Sequence, residues 1–215
     1  MMYYCHNLHF LAASYGMEGD FAQAKQAADE LVAHVGPMLH DMPFTEMYAP
    51  YPIFVLVRFH RWDKVLKFPP PSQSLAMTTA FWHFARGSAF AARNQIAMAE
   101  AERTILETAR KQTPADQEFS TFSNKARTFL EVAENVLDAR IAAAKGDHER
   151  AINYWEKGVE IEDKLYYGEP PNGSIQSASL WERHCCCTAE WSRRKKCSAR
   201  IWNSIRASPG RCSDF

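Results

Sequence analysis

Apolar residues recur along this chain at the three- and four-residue spacing of one helical face, and the runs come in pairs. Leu8, Leu11, Ala12 and Tyr15 mark a first helix, and Phe21, Ala24, Ala28 and Leu31 mark a second. Between them Gly19-Asp20 supplies the turn, because glycine enters the left-handed conformation that ends a helix without a Cβ clash. Pro37 stops the second helix, having no N–H to donate and no room for its ring in a helix interior. Residues 7–35 therefore read as a helix hairpin.

The same order of signals returns three times. One copy runs from Arg86-Gly87-Ser88-Ala89-Phe90 to Asn94-Gln95-Ile96 and Ala99, with Asn94, the other common left-handed residue, where Gly19 stood. Another runs Leu137, Ala139, Ala142, Gly146-Asp147, Ala151, Trp155 and Gly158. A weaker copy lies at His60-Arg61-Trp62-Asp63-Lys64-Val65, after a short first helix that follows Pro52. Small residues let two helices approach closely, and a large residue of one fills the gap opposite.

His60 and Asn94 are 34 residues apart, the tetratricopeptide period. Tyr15, Gly19, Ala24 and Ala28 in the first hairpin, and Gly146, Ala151 and Trp155 in the last, give residues 4–165 a resemblance to the tetratricopeptide repeat family. The repeats are irregular, and 52 residues separate Asn94 from Gly146, which places an insertion around Thr113–Ser123. The resemblance implies an all-α fold, a right-handed α-solenoid of antiparallel helix hairpins; a generic helical bundle is the alternative. It further implies a scaffold that binds a protein or peptide in a concave groove lined by the first helix of each hairpin. By this register the groove residues are His6, His9, Phe81, Phe84 and Arg140. The family's carboxylate clamp needs Lys and Asn where this chain has His9 and Ala13, Phe84 and Ser88, and Val136 and Arg140, so the clamp is absent.

Composition divides the chain near Pro171. Residues 173–215 hold eight of the 25 basic and three of the 25 acidic residues, so a net −5 body joins a net +5 tail. That tail also carries Cys185, Cys186, Cys187, Cys197 and Cys212, five of the six cysteines. Three adjacent thiols cannot all reach one tetrahedral ion and no Cys-x2-Cys pair is present, so a zinc site is not expected. A change of reading frame explains the tail better. Joining each codon's third base to the next codon's first two turns His184-Cys185-Cys186-Cys187 into three leucines with every codon choice. Trp181-Glu182 becomes glycine, and Leu and Gly are repeat residues. The expected organisation is a helical repeat domain over 1–171 and an irregular, out-of-frame tail over 172–215. Without a natural neighbour, helix 150–165 should leave Ile152, Trp155 and Val159 exposed or poorly covered.

The remaining chemistry is sparse. His6 and His9 lie three apart on one helical face and could bind a metal, but no third ligand is evident, and polar groups at a groove are the plainer reading. Asp29-Glu30, Glu100 and Glu102 read as solvated helix faces, Glu169 as loop, and Cys5 as a partly buried small residue. Phe81, Trp82, Phe84 and Phe90 read as core rather than cofactor box. No phosphate loop, nucleophile triad or cofactor motif appears, so the expectation is a binding protein, not an enzyme. The alternative is an accessory or regulatory region of a longer enzyme. Zero net charge argues against nucleic acid, and no apolar run approaches the roughly 18 residues that span a bilayer. The start, Met1 to Asn7, lacks the basic and apolar regions of a signal peptide, so the cytoplasm is the expected setting.

If the register is right, Gly146→Val strains a left-handed turn and Ala151→Trp overpacks a hairpin by about 1–3 kcal/mol. Both variants should melt below the parent in a thermal scan; a parent-like melt for either one refutes the register.

Overall fold

The structure, a computed structural model, describes residues 2–119 and 124–166. Residues 172–215, expected to be out of frame, and Glu169 lie outside the described residues. Among the described residues there are eight α-helices and no strand: α1 Met2–Glu18, α2 Phe21–Val35, α3 Tyr51–Arg58, α4 Trp62–Lys67, α5 Ala76–Ala92, α6 Ile96–Gln112, α7 Ala126–Ala144 and α8 His148–Glu162. Two short 3-10 turns, Gly36–Met38 and Pro43–Tyr48, fill the connection from α2 to α3, and Pro37 lies in the first of them.

One turn design joins each pair. Gly19, His60, Asn94 and Gly146 have φ of +85°, +52°, +57° and +80°, the four left-handed residues among those described. After each, the next N–H bonds the carbonyl five residues back: Asp20 to Tyr15, Arg61 to Leu56, Gln95 to Phe90 and Asp147 to Ala142, at 2.8–2.9 Å. This is the Schellman closure, which satisfies carbonyls that a helix end leaves open. The Asp20 and Asp147 side chains then cap the following helix by accepting from the Gln23 and Arg150 N–H groups. Arg61 and Gln95 provide no such side-chain cap.

Five residues beyond each turn the chain is sealed. Ala24, Val65, Ala99 and Ala151 are all 0% exposed. Small side chains there bring the partner helices together, and α1 packs on α2, α5 on α6 and α7 on α8. Contacts between pairs follow chain order. Each second helix meets the next first helix (α2 on α3, α4 on α5, α6 on α7), and successive first helices touch along α1, α3, α5 and α7. The extra residues fall outside this scheme, in segments 36–50 and 113–125.

Several positions differ from the sequence expectation. Leu11 is 44% exposed, because the buried face of α1 runs through Cys5, Leu8, Ala12 and Gly16 instead. Ile152 and Trp155, expected at an uncovered surface, are buried; α8 lies along α7 and Trp155 joins the main core, while Val159 is half-buried. Glu102, expected in solvent, is also buried. It accepts from His83 Nδ1 at 2.5 Å and Arg86 Nε at 2.7 Å, both on α5. Burial alone would raise its pKa, but these two donors outweigh it and hold the carboxyl below its ordinary range.

The polar contact continues onto α7. Arg103 of α6 donates to both Asp138 oxygens and to Glu134, pairs with Glu107 of its own helix, and is held charged first by the bond to Asp138. Arg110 donates to the other Glu134 oxygen at 2.5 Å. Each charge here meets a counter-charge, which offsets the cost of removing it from water.

Gly87 fixes how closely α5 meets α7. A Cβ there would stand 2.8 and 3.0 Å from the two Cδ atoms of the fully buried Leu137. Gly87→Val should therefore cost about 1–3 kcal/mol by overpacking, lowering the melting temperature by roughly 2–4 °C per kcal/mol. Gly36→Ala, with open space around the new Cβ and φ of −49°, should be neutral or slightly stabilising in the same scan.

Candidate functional site

The first helices converge on one aromatic cavity. Its lining is His9 from α1, Tyr51 and Phe54 from α3, Phe81 from α5 and Phe129 from α7, with Met47 and Phe119 from the two connecting segments. The cavity measures about 20 Å³, room for one water-sized group. Rings follow one another across it, four pairs edge to face and Phe81–Phe119 tilted at 45°. Centroid separations are 4.3 Å for His9–Tyr51, 6.5 Å for Tyr51–Phe54, 5.0 Å for Phe54–Phe81, 5.6 Å for Phe81–Phe119 and 5.8 Å for Phe119–Phe129. Such pairs add roughly 0.5–1.5 kcal/mol each beyond the area they bury.

Phe119 enters from segment 113–125, and backbone bonds hold it. Its N–H donates to the Asn124 carbonyl at 3.0 Å, and the Ala126 N–H donates to the Gln117 carbonyl at 2.8 Å. Asn124 is 2% exposed, and its side chain bonds the Tyr166 backbone twice, Nδ2 to the carbonyl at 3.0 Å and Oδ1 from the N–H at 2.8 Å. The segment is thus tied both to the start of α7 and to the residues after α8.

His9 is the one imidazole in this lining. It is 5% exposed, its ring lies edge-on to Tyr48 and Tyr51, and its Nε2 is buried with no hydrogen-bond partner. Burial, with a smaller contribution from His6, lowers its pKa from 6.5 to about 3, so the ring is neutral at pH 7. A neutral imidazole has one donor and one acceptor nitrogen. Leaving a buried polar atom unpaired costs about 1–3 kcal/mol.

The five groove residues read from the sequence separate here. His9 and Phe81 meet at the cavity. Phe84, one turn along α5, is 1% exposed, as is Phe81, so both belong to the core as the helical spacing of the aromatics suggested; neither is open groove surface. The cause is Phe54 on one side of Phe81 and Phe119 on the other. His6 is half-buried against Phe10, with ring centroids 4.9 Å apart. Arg140 lies about 16 Å further along α7 than Phe129, given 1.5 Å per residue. Its guanidinium sits 5.3 Å over the Trp62 ring and 6.0 Å from that of Trp155. Among the described residues, no three His, Cys, Asp or Glu side chains come together as metal ligands, and Cys5 is buried.

Sequence reasoning missed Met47, Tyr51, Phe54, Phe119 and Phe129. For Phe119 a signal was present: it is a large apolar residue in the polar stretch Thr113-Pro114-Ala115-Asp116-Gln117-Glu118, and such a residue needs somewhere to be buried.

The depressed His9 pKa has a definite sign. The unfolded chain binds this proton below about pH 6.5 and the folded chain does not, so stability falls as pH drops through that value. Urea denaturation of wild type should show a loss approaching about 1 kcal/mol from pH 6.5 to 5.5, near the limiting 1.4 kcal/mol per pH unit. His9→Phe should show a distinctly smaller loss over the same interval; an unchanged loss would mean another group titrates. Comparison with family models, with curated proteins and with solved structures finds no match for this chain.

Proposed function

We propose that this chain is a scaffold of tetratricopeptide type, binding a protein or peptide along the face built by α1, α3, α5 and α7. The observation that carries the reading is the cavity itself, to which every first helix contributes a side chain. Supporting it are the four Schellman turns, the sealed residue five positions after each, and contacts that run from one hairpin to the next in chain order. Stacks of this kind grow in one dimension and offer an extended face that an elongated ligand can follow.

The positions of the family's carboxylate clamp support a different ligand from a free chain terminus. Of its six positions His9, Phe84, Ser88 and Val136 are buried and uncharged at pH 7, Ala13 is apolar, and Arg140 alone is cationic, with its guanidinium over the Trp62 ring. The binding chemistry is then aromatic and apolar, with Arg140 between Trp62 and Trp155 as a cationic contact further along the stack. No helix among the described residues is long and apolar enough to cross a membrane. The cytoplasm is the proposed setting.

The test is selection of peptides from a random library on the full-length chain, followed by affinity measurement. His6→Glu and Met17→Glu, on the first-helix side of α1, should weaken the selected peptides at least tenfold. Met98→Glu and Ile105→Glu, at exposed positions of the second helix α6, should leave them unchanged. Peptides indifferent to the first pair and sensitive to the second would move the binding face to the other side of the stack.

A further inference from the structure

One face of α1 lies open, and the later first helices bury the equivalent face. Counted back from the left-handed turn residues Gly19, Asn94 and Gly146, Tyr3 stands where α5 has Thr78 and α7 has Leu130. On the same count Asn7 matches Trp82 and Glu134, and Phe10 matches Ala85 and Leu137. In α5 and α7 these positions meet the preceding hairpin. Glu134 receives Arg103 and Arg110 from α6, and Leu137 lies against Gly87 of α5. The Trp82 indole donates to the Phe68 carbonyl, just past α4, at 3.1 Å. Leu130 and Leu137 are fully buried and Thr78 is 6% exposed, whereas Tyr3 is 84% exposed, Asn7 is exposed and Phe10 is half-buried. Leu11 extends the open strip; its equivalent, Asp138, accepts from Arg103 of α6 at 2.9 Å.

The strip suits a copy of itself. α1 carries no Asp, Lys or Arg, and its one Glu, Glu18, is its last residue. Tyr3, Phe10 and Leu11 alternate around the face with the small polar Asn7 and Ser14, so two such strips meet without opposing like charges. An asparagine amide both donates and accepts, and can pair reciprocally with its own mate. The other end of the stack offers no match. The exposed residues of α8 include Glu149, Arg150, Asn153, Glu156, Lys157 and Glu160, while Ile152 and Trp155 are buried. Seating those charges on an apolar strip would strip them of water without a partner.

We propose that this strip is a homodimer contact, in which two copies of the chain pair α1 on α1 about a two-fold axis. The second copy's α1 takes the place that α2, α4 and α6 take on α3, α5 and α7. A two-fold contact uses the same strip on both copies and closes at two, whereas α8 on α1 would grow without limit. One pair of helices, each about 25 Å long, buries less than the roughly 1,200 Å² of a strong interface, so association is in the micromolar range. The inference goes beyond the groove reading and does not depend on it.

Sedimentation velocity on the full-length chain, in a reducing agent that excludes disulfide-linked pairs, tests it. Wild type should pass from monomer to dimer between about 1 and 100 µM, the range that brackets a micromolar dissociation constant, with no larger species. Leu11→Glu should weaken dimerisation at least tenfold, and so should Tyr3→Glu. Met98→Glu and Ile105→Glu, at comparably exposed positions of α6, should leave it unchanged. Circular dichroism melts separate loss of the dimer from loss of the fold, and if Leu11→Glu does not fold, Tyr3→Glu decides. A wild type that stays monomeric throughout would overturn the proposal and leave the strip to a helix of a different protein. Growth beyond the dimer, the mark of a head-to-tail contact, would overturn it too. So would a dimer that survives both α1 variants.

Discussion

A helix that ends in a left-handed residue has little choice about where the chain goes next. The residue after it must return its N–H to a carbonyl five positions back, and the following helix then leaves at a fixed angle beside the first. This chain makes that reversal at Gly19, His60, Asn94 and Gly146, and the arrangement of all eight helices depends on it. Two of the four positions are not glycine, so two turns carry a Cβ in a conformation that disfavours it. Burial five residues later is the same at all four: Val65 and Ala99 are as fully enclosed as Ala24 and Ala151. Close packing within each pair holds the turn, and the turn positions the pair.

The turns were legible because they are local. A Gly-Asp or an Asn followed by small residues at fixed spacing reports backbone conformation directly, and no distant residue is needed to interpret it. Buried polar groups were not legible for the opposite reason. Glu102 reads as surface from its own helix; only Arg86 and His83, sixteen and nineteen residues earlier, make its burial tolerable. The candidate site failed in the same way. A register of first-helix positions identifies His9, Phe81 and Phe84 but says nothing about what lies over them. Phe119 lies beyond the reach of any helical period, and it is one of the residues that close the face.

Polar and apolar contacts divide the labour between the last two hairpins. Gly87 and Leu137 bring α5 and α7 to the shortest separation the backbone permits there, and dispersion forces at that range are strong but indifferent to register. Arg103, placed among Asp138, Glu134 and Glu107, is not indifferent. Sliding α6 by one turn relative to α7 would separate Arg103 from Asp138 and Arg110 from the buried Glu134. The network thus favours one alignment of α6 on α7.

The two hydrogen bonds between Asn124 and Tyr166 span 42 residues and join the insertion to the end of the last helix. Neither segment can leave without the other losing its partner. Because Asn124 lies just before α7 and Tyr166 just after α8, these bonds close the open end of the last hairpin. The last hairpin is thereby pinned at its open end as well as at its Gly146 turn.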